Sequence, residues 1–133
     1  MAGFSDYLEA AIINSTLRNT AFPAEPATVY VSLHSGDPGD DGAANELSGD
    51  GYAREGVSTT GGFASPSGGA TSNSAEILFD AASDDWSEVT HFALWDASTS
   101  GNCLYVGALS AGKTAGAGDQ IRFAAGDLDI ALS

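Results

Sequence analysis

Asp37, Asp40 and Asp41, with Glu46 and Asp50 close behind, are the side chains of this sequence best suited to gather a ligand. They sit in and after the turn-rich stretch Asp37-Pro38-Gly39-Asp40-Asp41-Gly42. Carboxylate oxygens in that number are what calcium or magnesium takes up. The spacing differs from an EF-hand loop, which sets acids at alternate positions ahead of its glycine. The same residues also make an ordinary solvated turn, and the pattern leaves both readings open. Asp84 and Asp85 form a shorter acidic pair beside Trp86. Glycoside hydrolysis needs two carboxyls at a defined separation in space, and nothing in the order of these acids singles out a pair.

Other chemistries find less support. A serine nucleophile needs a positioned base, yet there is no G-x-S-x-G stretch, and His34-Ser35-Gly36 has no strand-to-helix elbow around it. His34 and His91 both fall in extended runs and read as structural or surface residues. Gly112-Lys113-Thr114 lacks the first glycine of a phosphate-binding loop. Cys103 is the single cysteine, so no internal disulfide can form, and its setting GNCLYVGAL reads as that of a small buried hydrophobe. Trp86 and Trp95 could form a platform for a sugar ring. Trp95 alternates with a core-facing position, whereas Trp86 beside two aspartates reads as exposed, which suits an interface anchor. The expectation is a protein without catalytic residues or a resident cofactor.

The charge balance narrows the partners. Eighteen acidic residues face four basic ones, for a net charge of −14 over 133 residues. Nucleic-acid backbones and anionic membranes attract Lys and Arg, so neither is an expected partner. A soluble, self-repelling particle, a cation-rich partner surface or a salty medium all fit such an excess. Hydrophobic residues make up 43% of the chain, enough for a packed core rather than disorder. No apolar run reaches membrane-spanning length. The start, MAGFSDYLEA, has no basic segment leading into an apolar one, so no secretory signal is expected.

One helix and a series of short strands must position these residues in a single domain over 1–133. Residues 4–18 predict an amphipathic helix, with Phe4, Leu8, Ala11, Ile12 and Ser15 on one apolar-to-small face. Ser5 can cap it, Asp6 and Glu9 suit the positive end of its dipole, Arg18 suits the other, and Asn19 can stop it. That face either closes the core or docks on a partner. A kinked connector, Phe22-Pro23-Ala24-Glu25-Pro26, follows.

Thr28–His34 alternates as a half-buried strand, with Val29, Val31 and Leu33 on one face. A long acidic loop covers 36–51. Further strands are expected at 52–58, 75–79, 89–95 and 103–109, and 120–123 with 128–132 read as a closing hairpin. The Gly/Ser/Thr-rich stretch 59–74 reads as a long loop or weak edge strand. About six to eight short strands with turn signals between them predict a mainly β fold, an antiparallel β-sandwich or small barrel.

End to end, the chain resembles a family of small virion structural proteins of tailed bacteriophages, variously described as tail-fibre, minor structural or head decoration proteins. The resemblance is carried by FSDYLEAAIIN, PATVYVSLHSGDPGDDG, ELSGDGYAREGVS, the stretch from SGGATSNSAEILF through DDWSEVTHFALWD to YVGALS, and KTAGAGDQIRFAAGDLDIAL. Its most telling pieces are Gly51-Tyr52-Ala53-Arg54, Asp85-Trp86, His91 through Asp96, and Ala124 through Leu128. None is catalytic, so the resemblance implies a role in the particle without a residue-level mechanism.

Between the labels, a short chain with no internal repeat fits a cement protein better than a long fibre. Many equivalent sites on a shell would multiply modest contacts. The expectation is therefore a head decoration protein, made in the host cytoplasm, that self-associates as a dimer or trimer and binds the major capsid protein at the capsid surface. A tail or fibre-associated subunit is the alternative, and a cation- or carbohydrate-binding module is the reading from another class. Phe4, Leu8, Ile12 and Trp86 are the expected interface residues.

Overall fold

The computed structural model describes residues 2–131. Among these residues, nine strands and one helix follow in the order β1 (Ala2–Phe4), α1 (Asp6–Leu17), β2 (Thr28–His34), β3 (Glu55–Ser58), β4 (Ala70–Ser72), β5 (Ile77–Leu78), β6 (Val89–Trp95), β7 (Cys103–Lys113), β8 (Arg122–Phe123) and β9 (Asp129–Ala131). The fold is mainly β with antiparallel sheets, as the alternation predicts, and it does not close into a barrel. Seven strands form one sheet in the order β3-β2-β6-β7-β1-β9-β4, and β5 pairs with β8 in a second. Only the β1–β9 pair among these is parallel.

The core lies where the two sheets meet. Val31 and Leu33 of β2, Phe92 and Leu94 of β6, Ile77 of β5, Phe123 of β8 and Ile130 of β9 all belong to it, with Phe79 just after β5 and Leu128 just before β9. Phe79 and Phe123 meet edge to face at 6.3 Å. Burying side chains of this size stabilises by roughly 2–3 kcal/mol each, so these alternating positions supply much of the drive to fold. Leu132, expected to continue the Leu128 and Ile130 face, lies outside the described residues.

The helix is shorter than its periodicity predicts. It begins after Ser5, whose hydroxyl accepts the Leu8 amide at 3.2 Å. Phe4 lies in β1, paired with Tyr105 of β7. A three-residue strand ahead of a cap carries no legible period of its own, which is why β1 is invisible in the sequence. The Ser5 amide continues the ladder by donating to the Leu104 carbonyl, and its hydroxyl donates to that of Cys103. At the other end Asn19 takes a positive φ of 53°, which Asn tolerates better than most residues, and the chain leaves the helix there.

Other departures have local causes. The expected closing hairpin does not form: β8 pairs with β5, and β9 lies between β1 and β4. Hydrophobic alternation identifies a strand but not its neighbour. Part of 59–74 is the edge strand β4. The strand expected at 103–109 runs on to Lys113. β2 is buried on both faces over its second half, because the acidic loop covers the side that carries Ser32 and His34.

Candidate functional site

The covered face of β2 and β6 holds a buried, hydrogen-bonded polar cluster. Ser32 and His34 share that face with Ala93 and Trp95 across the antiparallel register. All four are buried. The acidic loop lies over them. The His34 ring places Nδ1 at 2.7 Å from the Ala44 carbonyl and Nε2 at 2.7 Å from the Ser32 hydroxyl. A carbonyl only accepts, so Nδ1 carries the proton and Nε2 takes the Ser32 hydrogen bond. The Ser32 oxygen in turn accepts from Trp95 Nε1 at 2.8 Å. Burial, the dominant effect, holds the imidazole pKa below its usual value.

Arg54 closes this arrangement at the surface side. Its guanidinium grips Glu46 in bidentate fashion, Nε to Oε2 and Nη2 to Oε1, each at 2.9 Å. Nη1 donates to the carbonyls of Ala97 and Ser100. The guanidinium carbon lies 3.9 Å from the centre of the Trp95 ring. The Tyr52 hydroxyl donates to Glu46 and accepts the Leu33 amide. For Glu46, burial opposes ionisation, but the hydrogen bonds from Arg54 and Tyr52 outweigh it and keep the carboxyl acidic. One salt bridge thus ties the acidic loop, β3 and the turn after β6 together.

Glycine at position 42 lets that loop sit down. Its φ is +75°, and a Cβ there would come within 2.5 Å of Cys103 Sγ and 3.0 Å of the Trp95 ring. Cys103 is buried as its apolar setting predicts, and burial pushes its thiol up to about 12.

This cluster resembles a serine–histidine pair on paper, but its geometry is that of a structural pin. Both side chains are fully buried, the serine oxygen already accepts an indole N–H, and the ring's second nitrogen faces a backbone carbonyl rather than a carboxylate. No substrate atom can reach the hydroxyl.

The acidic residues that the sequence offered as ligands serve turns instead. Asp37 accepts the Gly39 amide, Asp41 accepts the Ala43 amide, and Asp84 accepts the Asp85 amide. Asp40 is exposed, and its backbone carbonyl accepts the Asp6 amide. Among the described residues, no three His, Cys, Asp or Glu side chains come together in a way that could hold a metal ion.

The expected interface residues divide differently from the prediction. Trp86, expected to be exposed, is buried in the core: its indole donates to the Asp50 carbonyl at 2.9 Å and meets Tyr52 edge to face. Leu8 is likewise buried, Ile12 is half-buried, and Phe4 is half-buried against Tyr105. The helix is not one-sided. Leu8 and Ala11 face the protein, while Ile13 and Leu17, four residues apart on the opposite face, are exposed. Phe22 in the connector is 44% exposed. Beside it runs an open apolar groove of about 470 Å³, lined by Tyr7, Phe22, Pro23, Pro26, Val29 and Tyr105. The sequence had pointed to none of Ile13, Leu17 and Phe22 as surface residues. The available signal was that Ile13 and Leu17 fall off the predicted apolar face.

A sequence profile of the family described as podophage GP4 fiber I protein gp80 matches residues 3–131. The chain belongs to that family. It is a structural protein of the tailed-phage virion. None of the curated proteins matches it. Residues 3–131 of the gp80-family chain take in the pin, the acidic loop and the groove alike, so none of these is an appendage to the family's shared region.

Proposed function

We propose that this protein is a fibre-associated structural subunit of the phage particle, acting by docking and not by catalysis. The match to a fibre-protein family over residues 3–131 carries this reading. It favours the fibre over the head decoration role. The two are compatible in one respect: with no repeat to build a shaft, the chain would sit at a joint or collar of the fibre. Sequestration of the Ser32–His34 pair supports a non-enzymatic role.

The test is cryo-electron microscopy of intact particles together with gold labelling of the chain. Density for this fold at the fibre is the expected result. Density repeated over the icosahedral head would reject the fibre assignment and restore the cement reading, with the major capsid protein as partner.

A further inference from the structure

We infer that the groove beside Phe22 receives an apolar segment of a different virion protein, one flanked by Lys or Arg. This rests on the fibre-subunit reading and adds to it the docking surface and the chemistry of the partner.

Three observations converge on this place. Among the described residues, four large hydrophobic side chains are exposed, and one of them, Phe22, lines the groove itself, while Ile13 and Leu17 lie on the outer face of the helix that leads into the connector. The groove is also preformed. Pro23 and Pro26 restrict the connector backbone, and Thr59 tethers its far end through hydrogen bonds to the Pro26 and Ala27 carbonyls at 2.8 and 3.0 Å. A rigid surface loses little entropy when it binds.

Charge then selects the occupant. The charged residues lining the groove, Glu25 and Asp96, are both acidic. Asp96 is already engaged by Asn102, but its negative charge remains. A second copy of this chain would bring −14 of its own. Three of its four basic residues are occupied within the fold: Arg54 on Glu46, Arg122 on Glu76, and Lys113 over the Phe123 ring. A partner with its own Lys or Arg beside an apolar anchor satisfies both features of the groove, and complementary rim charge speeds and orients such encounters.

The decisive experiment places a photo-crosslinking phenylalanine analogue at Phe22 in particles assembled with the tagged chain. A matched control carries it at Leu78, the exposed hydrophobe on β5. The expected product joins Phe22 to a different virion protein, at a peptide containing Lys or Arg next to an apolar residue, while Leu78 gives little. Phe22→Asp is expected to lower incorporation into particles roughly tenfold or more. Glu25→Lys is expected to lower it about threefold, an effect that fades as salt is raised.

Crosslinks from Phe22 only to other copies of this chain, equal crosslinking from Leu78, or full incorporation of Phe22→Asp would each overturn the inference while leaving the fibre reading intact. Full incorporation of Glu25→Lys would overturn the charge assignment. If the purified particles contain no copy of the chain, the fibre reading and this inference fall together.

Discussion

Two surfaces that follow one another in the sequence handle polarity in opposite ways. Beneath the acidic loop, charged and polar groups are buried: Arg54 keeps 8% of its side-chain exposure and Glu46 keeps 24%, and His34 and Ser32 keep none. Every buried side-chain polar atom among the described residues has a partner. Along the helix and connector, Ile13, Leu17 and Phe22 remain exposed to solvent among the described residues. Satisfied polarity inside specifies one position for a long loop, whereas uncovered hydrocarbon outside is what an interface leaves when its partner is away. The contrast teaches that the chain's most elaborate chemistry is structural and that its plainest surface is the candidate for function.

Removing Arg54 should break this contrast most severely. Arg54→Met leaves Glu46 partly buried without its cation, and such losses cost about 3 kcal/mol or more. Urea denaturation should show it as a lower midpoint. Combining Arg54→Met with Glu46→Gln should cost clearly less than the sum of the single changes, because contacting partners do not add. Strict additivity would mean that the pair does not hold the loop.

Gly42→Ala should come next, at roughly 2–3 kcal/mol. The new methyl meets Cys103 and Trp95 in a backbone conformation that L-residues avoid. A melting temperature unchanged by this substitution would mean that the loop does not rest on Trp95 as described.

Acid should loosen the pin. His34 binds a proton less readily in the folded state than in the unfolded chain, so unfolding takes up protons as the pH falls below the ordinary value of 6.5. Its contribution is present above that value and lost below it. Glu46 adds a second loss as the pH falls through and below its ordinary 4.5, since its folded carboxyl is the stronger acid. Glu55 works the other way, because burial and Asp80 raise it, and offsets part of the second loss. Melting temperature measured from pH 7.5 to 4 should therefore fall, and His34→Gln should flatten the upper part of that slope. An unaltered slope would remove His34 from the account.

Phe22→Ser should do least to the isolated protein, within about 0.5 kcal/mol, as expected of an exposed position. The same substitution should reduce particle incorporation, which is what separates the two regions. Cys103 offers a parallel check on the buried side. Held at about 12 by burial, it should resist a thiol reagent at pH 8 until the protein is unfolded. Rapid labelling of native protein would show that the loop opens freely.

Much of the framework was legible beforehand. Thr28–His34 and Val89–Trp95 alternate cleanly enough that their bounds match the structure, and Ser5 and Asn19 mark the helix end groups through their own hydrogen-bonding and backbone preferences. Cys103 read as buried because its neighbours are apolar. Trp86 was misread because adjacent aspartates describe the chain next to it and not the space its ring enters. The family's telling Gly51-Tyr52-Ala53-Arg54 was visible, but Arg54 had no assigned role, since its partners Glu46, Trp95, Ala97 and Ser100 are not its neighbours in sequence.

By itself the sequence determined the periodic elements, the acidic excess and the absence of a recognisable catalytic motif, because these are local or additive properties of the residues. Tertiary structure alone decided that β8 and β9 part to join different sheets, that the acidic loop folds down over Trp95, and that Ile13, Leu17 and Phe22 are left uncovered. Those outcomes depend on which surfaces meet across long separations. Alternation marks a face for burial, but only the assembled chain shows what, if anything, is there to bury it.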